Sequence, residues 1–474
     1  MKILLTGATG YIGKRLLPIL TAQNHEIICC VRDKNRFYCP PESKKNVRVI
    51  EVDFLKEETL KVIPKDIDAA YYLIHSMSGS ANNYDELEHI SAENFVKRIN
   101  QTSVKQVIYL SGIVNDTSLS KHLSSRKHVE DVLYTGEFAT TTLRAGIIIG
   151  SGSASFEIIR DLVNKLPIMI APKWINTKCQ PIAIADVLEF LSKSLLNPVT
   201  YNQSFDIGGP DILTYKAMLM GFAKAKKLKR WIFSVPVMTL KLSSYWLYFV
   251  TSTSYKLASA LVNSMKVEII CRDNKINALL KVKPMSYEQA VSKALIKIDE
   301  SNIVSSWKDS LASGQLTGNI SEYLKIPTQN CYIDLRKKTI ENRDYTIERI
   351  WSIGGDTGWY YSNWLWSLRG FIDKLYGGVG SGRGRRNKYD IHAGDTLDFW
   401  RVLYANKEKG NLILFAEMKL PGQAWLEFKI IKNTLYQTAT FKPQGIWGKL
   451  YWYSVLPFHS FIFNGMLENL IHKK

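Results

Sequence analysis

The chain opens on a short apolar run, Lys2-Ile3-Leu4-Leu5-Thr6, which gives way to Gly7-Ala8-Thr9-Gly10-Tyr11-Ile12-Gly13. Lys14-Arg15-Leu16-Leu17-Pro18-Ile19-Leu20 follows, with apolar positions at helical spacing. Further apolar runs lie at Glu26 to Val31, Val47 to Val52, Asp68 to Ile74, Val104 to Leu110 and Thr140 to Arg144, with a helical pattern over Asp85 to Asn100. Strands alternating with helices predict a doubly wound α/β domain around a parallel sheet, with a ligand crevice at one set of strand ends. The pattern changes near Glu300. Residues 309–328, rich in Ser, Gly and Thr, read as a linker, and from Asp395 the strand signals become Leu397 to Ala405, Asn411 to Met418, Ala424 to Ile431 and Leu435 to Phe441. Their short connecting turns predict antiparallel hairpins, and Tyr453 to Ile471 reads as a closing helix. The expected division is 1–305, a linker over 306–330, and an α+β domain over 331–474.

The first glycine-rich turn carries specific chemistry. Gly7 permits the tight turn, Gly10 lets backbone approach a pyrophosphate, and Gly13 lets the helix pack on the strand. The helix N-terminus then directs N–H groups and a positive dipole end at the phosphates. Thr6, Gly7, Thr9, Gly10, Tyr11, Ile12 and Gly13 are therefore expected to hold a dinucleotide. Arg32 ends the second strand, where the adenosine ribose lies, and an arginine there accommodates a 2′-phosphate, which ranks NADP(H) ahead of NAD(H). Asp33 would serve NAD(H) were the strand one residue longer, and a solvated arginine at a strand end is the bland alternative. Asp53 and Phe54 are placed to hold the adenine through a carboxylate and an aromatic edge. Ile74 ends the fourth strand and His75 follows it, and both are expected beside the coenzyme; His75 is either an acid or base at the nicotinamide or a structural hydrogen-bonder.

On these residues the first two thirds of the chain resembles the atypical, NmrA-like branch of the extended short-chain dehydrogenase/reductases, whose glycine motif GxxGxxG is matched by Gly7, Gly10 and Gly13. Gln180 to Val187 and Phe205 to Pro210 resemble that superfamily's return strand and following turn around a small substrate region. The resemblance implies a Rossmann fold, a serine at the fifth strand end, matched by Ser111, and a Tyr-x-x-x-Lys on the next helix. His122 and Arg126 stand at that four-residue spacing instead. His122 can exchange a proton near neutral pH, whereas Arg126 binds a ribose or phosphate and cannot release one. Ser111, His122 and Arg126 are thus the expected catalytic set of a reductase or isomerase acting on a hydrophobic small molecule. A sensor or assembly factor that binds NADP(H) without turnover is the alternative.

The second half resembles the uncharacterised domain found fused to NmrA-like folds in bacterial proteins, through motifs such as Gly354-Gly355, Leu365 to Gly370, Asp398-Phe399-Trp400-Arg401 and Leu456-Pro457-Phe458-His459. Its antiparallel sheet and long helix suggest the START-like, helix-grip arrangement, in which tryptophans line a cavity for a lipid-like ligand or simply build a core. Arg369, Asp373, Asp398, Arg401, Glu417 and His459 would orient that ligand or form buried pairs. Gly377 to Arg386, with five glycines and three arginines, reads either as a loop able to wrap an anion or as a solvated surface loop.

Charge adds one element. A formal net charge of +19 favours anionic partners, and with no nucleic-acid-reading signature beside it no nucleic-acid partner is expected. The basic run Lys224 to Arg230 precedes the aromatic stretch Trp231 to Val250, so residues 224–250 are either a peripheral contact with an anionic leaflet or a helix pair of the substrate region. The six cysteines show no metal-ligand spacing, so no metal is expected. A first strand at Lys2 and no span-length apolar run lead to the expectation of a cytoplasmic protein without leader or membrane span, able to touch the inner face of the membrane.

Overall fold

Each apolar run of the first half becomes a strand of one sheet: β1 (Lys2–Leu5), β2 (Glu26–Val31), β3 (Val47–Glu51), β4 (Ala69–Tyr72), β5 (Gln106–Gly112) and β6 (Ala139–Ala145). The computed structural model describes residues 1–74, 84–114, 121–235, 240–251, 255–300, 303–307, 320–380 and 384–472. With Gln203–Ile207 at one edge, the seven strands run in the order Gln203–Ile207, β6, β5, β4, β1, β2, β3, all parallel. The chain reverses its direction of travel between β1 and β4, the switch point where open parallel sheets bind ligands. This is the Rossmann-type sheet the pattern predicted.

Helix α1 (Tyr11–Ala22) buries Leu16, Leu17 and Leu20 against Ile3 and Leu5 of β1. On the other face α2 (Tyr84–Ile99) and α3 (Lys121–Leu133) bring Phe95, Ile99, Val129 and Leu133 onto Tyr72 and Tyr109. Helices Ala154–Lys165, Tyr215–Ala225 and Tyr287–Asp299 enclose a separate apolar core in the substrate region. There, strands Ile168–Pro172 and Trp231–Val235 pair in parallel. They bury Met169, Ala171 and Ile232 on one side and expose Ile168, Ile170, Trp231 and Phe233 on the other. The 224–250 stretch is therefore mixed: Leu247 and Tyr248 are core, while Trp231, Tyr245 and Phe249 face outward. No described helix is long and apolar enough to cross a membrane.

The chain divides into Met1–Ala312 and Ser313–Lys474. In the second unit six antiparallel strands run in the order Tyr332–Thr339, Thr434–Pro443, Gly422–Ile431, Asn411–Ala416, Trp400–Asn406, Thr396–Leu397. Strand Tyr332–Thr339 was not foreseen, because its alternation of half-buried and exposed positions carries Arg336, Lys337 and Lys338 and so has little apolar signal. The closing helix spans Gly445–Ile471, starting earlier than Tyr453, and lays Phe463, Met466, Leu467 and Leu470 on the core. Part of the expected linker is instead helix, Ile320–Tyr323; the Tyr323 ring packs 4.7 Å from Phe415 and its carbonyl accepts from Trp425 Nε1 at 2.9 Å.

The tryptophans chiefly build this core. Trp351, Trp359, Trp400, Trp425 and Trp452 are buried, and Trp359 stacks 4.9 Å from Trp366 and 6.5 Å from Phe399. Three of the expected polar residues are tied internally: Arg401 and Glu417 form a wholly buried pair at 3.1 Å, and Asp398 accepts from Trp359 Nε1 at 2.9 Å. An antiparallel sheet with a long helix is as far as the helix-grip likeness reaches.

Candidate dinucleotide site

The turn after β1 is set by sterics that only glycine meets. Gly7 sits at φ +65°, and a Cβ there would lie 2.4 Å from the Leu73 carbonyl oxygen. A Cβ on Gly13 would lie 2.3 Å from the Gly7 oxygen, so the first turn of α1 packs directly on the loop before it. Gly10 is the N-cap, its N–H donating to Gly7 O at 2.8 Å, and no side chain caps the helix. The first turn carries no acidic residue either. A cradle of this shape, with leading N–H groups and a positive helix end, fits a diphosphate.

The other expected residues take distinct places. Thr6 is fully buried and braces the switch point: its hydroxyl donates to Tyr71 O and accepts from Leu73 N, both at 3.0 Å. Thr9, Ile12 and Ile74 are half-buried around the turn. Tyr11 donates to Ser151 O at 3.3 Å, and burial pushes its phenol up to about 12. Arg32 is exposed immediately beyond β2, whereas Asp33 is 3% exposed and accepts from Asn35 N at 2.9 Å, capping the short helix Lys34–Arg36. The carboxylate that would bind a ribose diol is thus held in a local turn. Asp53 accepts from Leu55 N at 3.2 Å, and Phe54 is buried with its ring 5.7 Å from Phe95. Phe54 is a core residue and offers no edge to an adenine; its apolar side chain is spent on the α2 interface.

Ser111 lies at the end of β5, 3% exposed, its hydroxyl beside the Tyr109 phenol and without a well-formed hydrogen bond among the described residues. Arg126 on α3 donates to Leu110 O at 3.3 Å, which brings it to the same strand end, and its Nε is buried without a partner among the described residues. Tyr109 donates to the Arg126 carbonyl at 3.4 Å; burial pushes its phenol up to about 12 although the Arg126 charge pulls the other way. Ser125 donates to Glu88 at 2.5 Å, fastening α3 to α2. His75 and the side chain of His122 lie outside the described residues; the backbone places His122 at the start of α3, one turn ahead of Arg126.

Two features went unseen in the sequence. Arg15 lies over the Tyr11 ring at 4.7 Å and donates to Ser151 O at 2.7 Å and to Ser305 Oγ at 2.9 Å, while Ser305 donates to Tyr11 O at 2.9 Å. Residues 303–307 are thereby strapped to the glycine-turn helix, a pairing no local spacing announces. At the sheet edge Arg144 pairs with Glu130, and Arg272 forks onto Asp206 at 2.7 and 2.8 Å. Arg144, Asp206 and Arg272 line a cleft of about 410 Å³, together with Asp273 and Lys275.

The second glycine-rich loop differs. Gly380 N donates to Asp373 at 2.8 Å, and Lys419 N reaches the other carboxylate oxygen at 2.7 Å. Arg385 donates to the carbonyls of Trp351 and Ile353 at 2.8 Å, and burial lowers its pKa to about 10. Arg386 forks onto Asp395 at 3.0 and 3.2 Å. Ser381, Gly382 and Arg383 lie outside the described residues.

Residues 7–151 match the family model described as NAD(P)H-binding, and residues 327–466 match the one described as protein of unknown function (DUF2867). Among curated proteins the chain is similar to the chloroplast divinyl chlorophyllide a 8-vinyl-reductase of Arabidopsis thaliana, 20% identical over 227 residues, which are 44% of this chain and 54% of that protein. The chain thus spans about half the length of that relative. Among solved structures it is similar to a triphenylmethane reductase of Citrobacter sp. (15% identity, TM-score 0.52) and to a nucleoside-diphosphate-sugar epimerase of Staphylococcus aureus (17%, TM-score 0.51). Each covers 62% of this chain and 100% of its own, and at such identity the likeness is one of fold. Residues 7–151 thus match an NAD(P)H-binding model on a Rossmann-type parallel sheet, and the same chain carries a match to DUF2867 over residues 327–466.

Proposed function

We propose that the first unit binds NADP(H) and works as an oxidoreductase on a hydrophobic small molecule. The observation that carries this is the glycine turn, whose Cβ positions are excluded by backbone on both sides and whose helix N-terminus is uncapped. The buried Ser111 hydroxyl, beside Tyr109, and the Arg126 Nε, unsatisfied among the described residues, fit a nicotinamide ribose and substrate at the β5 end. The coenzyme, when bound, supplies or accepts hydride. Ser111 donates a hydrogen bond to the substrate oxygen where charge develops, Arg126 holds the ribose or phosphate by charge, and His122 exchanges the proton. Two of the relatives are reductases by name, one of a chlorophyllide and one of triphenylmethane dyes, which supports a bulky apolar substrate class.

Purified protein, kept anaerobic with NADPH and a panel of apolar carbonyls and quinones, should oxidise the coenzyme in a substrate-dependent way. Ser111→Ala and His122→Ala should each slow this by about 100-fold while leaving NADPH binding intact. Binding without turnover, unchanged by either variant, would overturn the enzyme reading in favour of a coenzyme sensor or assembly factor. One observation favours that second reading: the described polar side chains of α3 facing the β5 end are an arginine that stays charged and a serine already bonded to Glu88.

A further inference from the structure

Helix Asn363–Leu375 turns its apolar stripe outward. Trp364, Leu368, Phe371 and Leu375 recur at intervals of four, three and four, and all are exposed, Trp364 by 67%. Its neighbour does the same: in Gly445–Ile471 the inward face carries Trp452, Phe463 and Met466, while Trp447, Leu450, Tyr453, Phe458 and Phe461 are exposed, Trp447 by 74%. The two helices share one core, Trp366 lying 6.3 Å from Phe463, and Tyr361, just before the first helix, 5.0 Å from Phe461. Apolar exposure on this scale marks an interaction surface.

The charges around that surface select its partner. From Phe428 to Leu467 the chain has Lys429, Lys432, Lys442 and Lys449 and no carboxylate. Between Thr357 and Tyr389 the one carboxylate is Asp373, which is buried and bonded to backbone N–H groups. Lys388, Lys419, Lys442 and Lys449 are all exposed. Trp, Tyr, Phe and Leu on segments rich in exposed lysine, with the long helix's one carboxylate, Glu468, paired to Lys338, match the composition of a helix that lies in a membrane interface. With Pro457 inside it and polar Ser454, His459, Ser460 and Asn464 along it, the long helix is suited to lying on a bilayer and is not apolar enough to cross one.

We propose that this two-helix face of the second unit docks on the surface of an anionic lipid bilayer. The inference stands on the second unit alone and holds whether or not the first unit turns over a substrate. The test is flotation of the full chain with phosphatidylcholine vesicles, with and without about 30% phosphatidylglycerol. The chain should float with the anionic vesicles and bind about tenfold less to the neutral ones. Trp447→Ser with Phe371→Ser, both at exposed positions, should reduce anionic binding at least tenfold, and Lys442→Gln with Lys449→Gln about tenfold. Unchanged thermal melting would show that these variants fold, and NADPH binding should be unaffected in all of them. Absence of flotation overturns the proposal, as does flotation that survives these variants but is abolished by neutralising Lys226, Lys227 and Lys229. Concentration-dependent dimerisation lost in Trp447→Ser, without flotation, would give the face to a second copy instead.

Discussion

Two glycine-rich loops in this chain look alike in sequence and behave differently in the fold. Gly7 to Gly13 and Gly377 to Arg386 both combine glycines with neighbouring positive character, and both read as cradles for an anion. In the first, the glycines are demanded by backbone packing, and the helix that follows has neither a capping side chain nor an acidic residue in its first turn. In the second, the anion is already supplied by the chain: Asp373 takes the loop's N–H of Gly380, and a Cβ on Gly378 would lie 2.1 Å from its carboxylate. Arg385 and Arg386 are likewise satisfied by carbonyls and by Asp395. The described part of the second loop carries its own counter-charge, whereas the first leaves N–H groups at a helix end open to a ligand.

The largest effect that can break this distinction belongs to Gly13. Gly13→Val places two methyl groups where even a Cβ meets the Gly7 oxygen at 2.3 Å, and NADPH affinity measured by calorimetry should fall by at least about 100-fold. Gly384→Ala is the matching change in the other loop: at φ +59° with open space around it, it should cost about 1 kcal/mol and leave coenzyme binding untouched. Equal effects of the two on NADPH would erase the contrast.

Asp373 comes next. Asp373→Ala strips one buried and one part-buried N–H group of their acceptor and should lower the stability of the second unit by about 2 kcal/mol in chemical denaturation. If it instead changes NADPH affinity while stability holds, the loop is a ligand site after all.

A smaller effect separates the units by pH. Burial beside Trp452 and Phe463 lowers the His459 pKa to about 4, with Asp334 opposing and Arg336 reinforcing. The neutral ring is favoured in the folded state, so this contribution is complete above the ordinary value of about 6.5 and is lost as pH falls toward 4, a change on the order of 2–3 kcal/mol. Between pH 6.5 and 4 the wild type should lose stability relative to His459→Phe in thermal melts, the gap being constant above pH 6.5; parallel curves throughout would show that His459 is not held neutral.

How much of this was legible in the sequence follows from where the constraint resides. The turn at Gly7, Gly10 and Gly13 could be read because its requirement is local and steric, and the parallel sheet because both faces of its strands are apolar. Ser111 could be placed only through the resemblance. Phe54 was assigned to adenine because an aromatic after a strand has two possible destinations, and only the position of Phe95 on α2, 41 residues on, decides between them. The Arg15–Ser305 strap joins residues 290 apart, and Asp373 and Lys419 are 46 apart. Hydrogen bonds of that span leave no periodic trace.

Arg32 gives the smallest predicted effect and the sharpest question about the first loop's ligand. The end of β2 offers two candidate recognition groups, and the structure separates them: Arg32 is exposed, while Asp33 is buried and caps the turn at Asn35. A guanidinium meeting a 2′-phosphate near the surface works in high dielectric, so its contribution is modest and falls with salt. Arg32→Ala should therefore weaken NADPH about tenfold and NADH less than twofold at low ionic strength, with the ratio narrowing as salt rises. Asp33→Ala should lower stability through loss of the cap and shift neither coenzyme selectively. If Asp33→Ala instead lowers NADH affinity alone, its carboxylate faces the ribose diol and the preference belongs to NAD(H).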